Sequence, residues 1–228
     1  QALSSELAVP MRTLLLAAHV RMLSLLSGKD DITTGLVGNV RPEETDGDKV
    51  LGLFLNALNF RFKLPQGSWK DLIRAVFHNE LDVLGHRHYP YFQLYVDNGR
   101  QPLYKTHFNY TNFHVYDNLE AGFKATGNVH AFEGTGENMV VDCSYNAKKG
   151  IDIRVEVREF SLEQAQRMLG YFVAALQGMA DNADARHERS NLLSPAEQAQ
   201  LAQFCSPKTL AVNHLPQLAH QLFERQAE

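Results

Sequence analysis

The chain has 228 residues, 44% hydrophobic and 21% charged, with a formal net charge of −4. These values are typical of a globular protein with a buried core, and they exclude the strongly basic surface of a general nucleic-acid binder. The two cysteines, Cys143 and Cys205, lie far apart and offer neither a disulfide framework nor a cysteine metal site. We therefore expect a reducing, cytoplasmic setting and no nucleic-acid partner.

The sequence also predicts no membrane contact. A bilayer-spanning helix needs roughly 20 consecutive apolar residues, and Arg12, His19 and Arg21 interrupt the most apolar stretch. The N-terminus has no basic region of the kind that begins a signal peptide. Because residue 1 is Gln rather than Met, we expect the chain to be a segment of a longer one.

The first part of the chain predicts a helix followed by two strands. Apolar residues recur at helical spacing over 9–31, and Gly28 suits the end of that helix. Residues 32–40 and 53–64 have the pattern of buried strands. The acidic segment 42–48 between them is expected to be a solvated loop.

The middle of the chain predicts a second helix and a third strand. Helical periodicity covers 68–86, with Ser68 as its N-cap. A proline within 86–94 indicates a loop there. Residues 102–113 alternate as a strand does, whereas 114–137 are glycine-rich and irregular.

The last part predicts a hairpin followed by helices. The strands 138–146 and 151–159 flank a short polar turn. The helix 161–182 opens with a capping-box pattern, and shorter helices are expected at 194–204 and 215–228. This order of elements predicts a mixed α/β fold, with a mixed sheet flanked by helices.

No catalytic set can be assembled from motifs. The sequence contains no P-loop, no nucleophile elbow, no dinucleotide-binding glycine pattern and no zinc-protease motif. His86 and His88 would face the same way in an extended segment and could ligate a metal. No carboxylate or cysteine cluster lies near them, so two surface histidines are the preferred interpretation and no metal is expected.

Five stretches in fixed order carry a resemblance. They are "LLLAAHVRMLSLLSGKDDITTGLVGNVRPEETDGDKVLGLFLNALNFRF", "HRHYPYFQL", "DNGRQPLYKTHFNYTNF", "LLSPAEQAQL" and "LPQLAHQLFERQAE". The first three resemble the second half of a nonribosomal peptide synthetase condensation domain. The fourth resembles the linker that leaves such a domain, and the fifth resembles the opening helix of an adenylation domain. The matching residues are Ser27, Gly28, Asp30, Asp31, Gly35, Arg41, Gly52, Phe54, Asn56, Leu58, Arg61, His86, Tyr89, Pro90, Arg100, Pro102, Leu103, Phe108, Asn109, Tyr110 and Asn112.

The resemblance implies a fold and a domain organisation. The fold would be that of the CoA-dependent acyltransferase-like superfamily, with 1–182 as the C-terminal lobe. Residues 183–213 would be an interdomain linker with a short helix, and 214–228 would begin an adenylation domain. The region 114–137 would be the segment that crosses to the other lobe. The family motif HHxxxDG is absent from this chain, so no catalytic residue is expected in this lobe.

The implied activity is amide bond formation. In the family, a donor thioester and an acceptor amine are brought by two carrier proteins on 4'-phosphopantetheine arms, and the domain binds no cofactor directly. The expected partners are the N-terminal lobe of the same domain, the donor and acceptor carrier proteins and a downstream adenylation domain. The lobe alone is expected to be inactive and to expose an apolar surface.

The resemblance also assigns site residues. Arg41 would pair with the aspartate of HHxxxDG across the two lobes, and Asn56, Tyr110 and Asn112 would line the substrate tunnel. For Asn56 a second interpretation stays open, in which its amide only satisfies local backbone groups. Asn39 departs from the family pattern, which has a small residue before the arginine.

Two alternatives to amide formation also stay open. The lobe could be a non-catalytic module that binds a carrier protein or another partner. It could also belong to a related cyclisation, epimerisation or dehydration domain, although the stretch Leu-Phe-Leu-Asn favours condensation over epimerisation.

Overall fold

A computed structural model describes residues 2–111, 137–146 and 150–205. Within these ranges the chain forms six α-helices and five β-strands. The helices are α1 (Ala2–Leu7), α2 (Met11–Ser27), α3 (Trp69–Gly85), α4 (Tyr91–Asp97), α5 (Leu162–Asp181) and α6 (Pro195–Cys205). The strands are β1 (Asp31–Asn39), β2 (Leu55–Lys63), β3 (Thr106–Thr111), β4 (Met139–Asn146) and β5 (Gly150–Val157).

The strands form one mixed sheet in the order β2-β1-β3-β4-β5. The pairs β1–β2 and β4–β5 are antiparallel, whereas β1–β3 and β3–β4 are parallel. The antiparallel pair β4–β5 confirms the predicted hairpin. The parallel pairs require long crossovers. The crossover from β1 to β3 contains β2, α3 and α4, and most of the connection from β3 to β4 lies outside the described residues.

Helices α2, α3 and α5 pack together and cover one face of the sheet. The sheet residues that face them include Leu36, Phe60 and Phe108, and all three are buried. Helix α2 lies in the middle of this layer and is buried from Thr13 to Leu23 on every side. A helix that is apolar almost all round is stable only when it is enclosed in this way.

The predicted helix boundaries have clear local causes. Ser68 and Asp71 form a reciprocal capping box at the start of α3, and Ser161 and Gln164 do the same for α5. Helix α2 ends at Gly28, whose φ of 66° is readily adopted only by glycine.

One local prediction was wrong, and one helix was not predicted. The segment 86–94 was expected to be a loop, but its second half begins helix α4, with Pro90 at the N-cap position. Proline restricts the residue before it and suits the start of a helix, so it ended one element and began the next. Helix α1 was not predicted; it ends before Ala8, whose φ is 52°, and the predicted helix 9–31 corresponds to α2.

The compact unit that contains the sheet ends at Leu192, beyond the predicted boundary at 182. Within 183–192, Ala183 and Ala185 accept backbone hydrogen bonds from Lys70 and Trp69. The polar composition of 183–192 does not indicate this attachment, because the segment is held mostly through its backbone. The linker expected at 183–213 stays a prediction. A second unit begins at residue 193 and contains α6, which Ser194 and Glu197 cap. The predicted adenylation-domain start at 214–228 lies outside the described residues.

Candidate functional site

Three of the predicted site residues lie at one end of the sheet. Gly38, near the end of β1, pairs with Asn56 near the start of β2. Leu36 pairs with Phe108, so Tyr110 lies two residues further along β3, as Gly38 does along β1. By the alternation of the strands, Asn56 and Tyr110 therefore lie towards the same end of the sheet, on its helix-covered side. Arg41 follows β1 at the same end, and Asn112 lies outside the described residues.

The side-chain amide of Asn56 holds the turn between α3 and α4. Its nitrogen donates to the carbonyls of Arg87 at 2.9 Å and Tyr89 at 2.7 Å, and its oxygen accepts from the Tyr91 N–H at 3.2 Å. These three bonds correspond to the interpretation in which Asn56 satisfies local backbone groups. Lining of a tunnel by this residue stays a prediction, because a tunnel needs a facing half.

Arg41 closes the loop between β1 and β2. Its Nη1 donates to the carbonyls of Gly47 at 3.2 Å and Val50 at 2.6 Å. Its guanidinium carbon lies 4.4 Å from the centre of the Phe54 ring, a cation–π arrangement. No carboxylate within the described ranges is ion-paired with Arg41, so a pairing across lobes also stays a prediction.

An apolar ridge follows this loop and leads into β2. Leu51, Leu53 and Leu55 are 96%, 85% and 59% exposed. Isolated apolar residues on a surface need no explanation, but three leucines in alternation on one segment are unusual for a free surface. The ridge lies at the same end of the sheet as Arg41 and Asn56. It is consistent with the expected exposed apolar surface.

Tyr110 borders a cavity of about 460 Å³ beside the first turn of α2. The rest of its lining comes from Tyr145, from two serines of α1 and from residues 10–12 at the start of α2. Partial burial, followed by the neighbouring Tyr145, raises the pKa of the Tyr110 hydroxyl. That hydroxyl is therefore protonated at neutral pH and can donate or accept a hydrogen bond.

Sequence reasoning missed a polar cluster on the sheet face opposite the helices. Gly35 pairs with Asn59 on β2 and with His107 on β3, which places the three residues in one row. The ring of Tyr104 meets that of His107 with centroids 4.9 Å apart, and Tyr91 of α4 lies 5.5 Å from Tyr104. Only the alternation of β2 and β3 could have indicated that these side chains share a face.

The other conspicuous titratable groups have structural surroundings. Burial raises the pKa of the Cys143 thiol to about 12, so this cysteine is not an activated nucleophile. Burial, helped by His107, lowers the pKa of His19 to about 3, and His19 Nε2 is 3.1 Å from Thr34 Oγ1. His86 and His88 are exposed. In the described part of the chain no group of three or more His, Cys, Asp or Glu residues could hold a metal.

A sequence model of the family described as "Condensation domain" matches residues 1–202. The chain belongs to the condensation domain family. Among curated relatives of this condensation-domain chain, AMB antimetabolite synthetase AmbE of Pseudomonas aeruginosa is 32% identical over 188 residues, covering 77% of the chain and 8% of that protein. Tyrocidine synthase 3 of Brevibacillus parabrevis is 28% identical over 229 residues, covering 94% of the chain and 3% of that protein. The chain is thus a small part of the length of these synthetases.

Solved structures of condensation domains share the fold. The condensation domain of the monacolin K polyketide synthase MokA superimposes with a TM-score of 0.70 at 19% identity, over 82% of this chain and 45% of that one. The four-domain nonribosomal peptide synthetase AB3403, bound to AMP and glycine, gives a TM-score of 0.73 at 12% identity, over 86% of this chain and 17% of that one. The predicted fold class, a mixed sheet flanked by helices in the CoA-dependent acyltransferase-like manner, is confirmed. Within the described ranges no helix combines the length and apolar character needed to cross a membrane.

Proposed function

We propose that this chain is the C-terminal lobe of a condensation domain that forms an amide bond in a nonribosomal peptide synthetase. Family membership and the synthetase relatives support this proposal. The length agrees as well, because the chain corresponds to 45% of the MokA condensation-domain chain. The fragment would be half of the catalytic unit, and the half with HHxxxDG would lie in the facing lobe.

The observation that carries the proposal is the convergence of Arg41, Asn56 and Tyr110 at one end of the sheet. The Arg41 guanidinium is held by two backbone carbonyls and a ring, which fixes its direction without neutralising its charge. A carboxylate from a facing lobe could pair with it in that position. The leucine ridge beside it would be covered when the two lobes meet.

In the proposed reaction, the acceptor amine nitrogen bonds to the donor carbonyl carbon. The carbon–sulfur bond breaks, and the thiol leaves with a proton from the amine. The residues of this lobe would act by positioning, which contributes strongly when two bound groups must meet in alignment. Asn56 would keep the α3–α4 turn in place, and Tyr110 would border the approach of one substrate.

The substrates would arrive on partner domains. Carrier proteins would present each acyl or aminoacyl group on a 4'-phosphopantetheine arm, so the arm belongs to the carrier rather than to this lobe. A downstream adenylation domain would be a covalent neighbour in the same synthetase. The relatives are multidomain synthetases, which supports this arrangement.

The test is an amide-formation assay on the condensation domain that contains this chain, with a loaded donor carrier and a loaded acceptor carrier. Arg41→Ala should lower the rate constant for amide formation by up to about 100-fold, because the loop at the lobe boundary loses its anchor. Arg61→Ala is the matched control, since Arg61 pairs with Asp31 on an exposed surface. Its rate should match that of the wild type.

The outcomes separate the competing functions. Product with a new amide supports condensation, whereas a heterocycle, an inverted stereocentre or a dehydrated residue would identify a related reaction. Carrier binding without any product would favour a binding lobe. Full activity of Arg41→Ala would remove Arg41 from the proposed mechanism.

A further inference from the structure

The polar cluster on the open face of the sheet has no assigned function. It consists of Asn59, Tyr104 and His107 around Gly35, on the side away from the three packed helices. None of these side chains takes part in the end-of-sheet site. The cluster is enclosed, since Tyr104 is only 4% exposed and the His107 side chain only 13%.

Three polar atoms of this cluster, Asn59 Oδ1 and both ring nitrogens of His107, are buried without a hydrogen-bond partner. The Tyr104 hydroxyl is also buried and makes no hydrogen bond of ordinary geometry, although the Tyr91 side chain lies beside it. Glu137 Oε1 lies 3.9 Å from His107 Nδ1, which is too long for a hydrogen bond. Elsewhere in the described part of the chain such atoms occur singly. Buried polar groups are nearly always satisfied, so this concentration indicates an absent partner.

Gly35 makes the arrangement possible. A Cβ at this position would lie 2.5 Å from His107 Nε2 and 2.6 Å from Tyr104 Cε2. The two rings therefore occupy the space that any other residue would fill. Tyr91 supports the Tyr104 ring from α4, and Asn56 holds the Tyr91 backbone. The cluster is thus built and supported from four separate elements, β1, β2, β3 and α4.

A cavity reaches the cluster at Asn59. It has a volume of about 360 Å³, within the range of small-molecule sites, and Leu58, Val83 and Leu94 supply apolar walls. His86 and Tyr89 complete its lining. An aliphatic chain could therefore lie in the cavity with its polar end at Asn59.

We propose that Asn59, Tyr104 and His107 form a specificity subsite for the neutral hydrogen-bonding end of a substrate side chain, a carboxamide or a hydroxyl. That the ligand is a substrate side chain rests on the proposed function. The site itself rests on the unsatisfied atoms and the adjoining cavity.

The chemistry of the cluster selects a neutral group. Burial lowers the pKa of His107, although Asp142 opposes the effect, so the ring is neutral and offers one donor and one acceptor. Burial likewise raises the pKa of the Tyr104 hydroxyl, with Tyr91 adding to the effect. Asn59 Oδ1 is an acceptor. A carboxamide, with two N–H donors and a carbonyl, matches this set without burying a charge.

Binding is tested on the chain itself with two probes of the same shape. Isobutyramide carries the carboxamide, and 3-methyl-2-butanone replaces its NH₂ by a methyl group. NMR chemical shifts of the His107 ring and of β2 amides give both Kd values. We expect isobutyramide to bind at least about fivefold more tightly, because the ketone leaves the acceptors unpaired.

Variants locate the effect. Tyr104→Phe and Asn59→Leu should each bring the two Kd values close together, whereas Ser144→Ala, an exposed hydroxyl on the same sheet face, should not. Equal Kd values in the wild type, or a preference that survives both variants, would overturn the proposal. Absence of any binding would mean that ordered water alone satisfies these atoms, which also overturns it.

An activity assay distinguishes failure of the subsite from failure of the proposed function. The condensation domain that contains this chain is assayed with substrates ending in a carboxamide or in the matching methyl ketone. A preference in kcat/KM for the carboxamide that Asn59→Leu abolishes supports the subsite. Amide formation without any preference contradicts the subsite alone. Isobutyramide binding without amide formation on any substrate contradicts the proposed function and leaves the site in place.

Discussion

At the scale of single residues, Asn56 shows how a polar side chain in a strand can fix a distant turn. Its amide uses both donors and its acceptor on backbone groups of Arg87, Tyr89 and Tyr91. The turn's own backbone bonds are short-range, such as those from the Arg87 N–H to Leu84 and from the Tyr89 N–H to His86, and none of them reaches β2. The side chain therefore does for the α3–α4 connection what a capping residue does for a helix end.

Asn56→Leu should destabilise this connection. The substitution keeps the side-chain size but removes three hydrogen bonds, so we expect a loss of about 1–3 kcal/mol in the free energy of unfolding. Hydrogen exchange at the Tyr91 amide should accelerate more than exchange in the core of β1. Asn98→Ala, which removes only an exposed bond to Gln101, is the control. Unchanged protection of Tyr91 would show that the turn holds itself.

His19 predicts a pH dependence of stability. Its pKa is about 3 in the folded protein, below the ordinary 6.5, chiefly because of burial. As the pH falls from 6.5 towards 3, the unfolded chain takes up a proton that the native His19 does not, so stability decreases. The slope from this residue is at most about 1.4 kcal/mol per pH unit.

The measurement is urea unfolding between pH 7 and pH 4.5. His19→Gln should flatten the dependence of the unfolding free energy on pH by up to that slope, although burial also lowers the pKa values of His107 and His187 and keeps part of it. Asn98→Ala, which removes no titratable group, should leave the profile unchanged. Identical slopes for wild type and His19→Gln would contradict the prediction.

At the scale of elements, a buried carboxylate connects α2 to α3. Glu80 is 1% exposed, accepts a hydrogen bond from Thr13 Oγ1 at 2.6 Å and pairs with Arg12 Nε at 2.6 Å. Burying a charge is tolerated only with such partners. The interaction fixes the register of the two helices at the end where Tyr110 lies.

Glu80→Ala should therefore cost about 3 kcal/mol of unfolding free energy, since it leaves the buried Thr13 hydroxyl and part of the Arg12 charge unpaired. The matched control is Glu163→Ala, which removes an exposed i,i+4 pair with Arg167 and should cost less than about 0.5 kcal/mol. Urea denaturation of both variants gives the comparison. A cost for Glu80→Ala similar to that of the control would show that the buried pair is energetically neutral.

The elements that sequence reasoning predicted are those with a local cause. The capping boxes at Ser68 and Ser161 predict the starts of α3 and α5. The alternation of apolar and polar residues in β4 and β5 predicts their hairpin. Helix α4 lacks such a signal, because seven residues give little periodicity and Asn56, which holds its first turn, is distant in sequence. The cluster around Gly35 was missed for a related reason, since it depends on the register of three strands.

At the scale of the whole molecule, the segment 183–192 completes the compact unit. His187 donates its backbone N–H to Gly67, and its carbonyl accepts from the buried Arg21. Trp69 Nε1 donates to Ser190 Oγ, and Leu192 is 3% exposed. The sequence of this segment does not predict the attachment, because backbone hydrogen bonds do not depend on a pattern of hydrophobic residues.

Truncation after residue 182 should therefore destabilise the compact unit, whereas truncation after residue 192 should not. The shorter form loses the burial of Leu192 and the bonds to Trp69 and Arg21, which together contribute at least about 3 kcal/mol. The single tryptophan is fully buried against His187 and reports the change by fluorescence during urea unfolding. Equal midpoints for the two truncated forms would mean that 183–192 is a linker after all, and the sheet and its three helices would then be a complete folding unit without it.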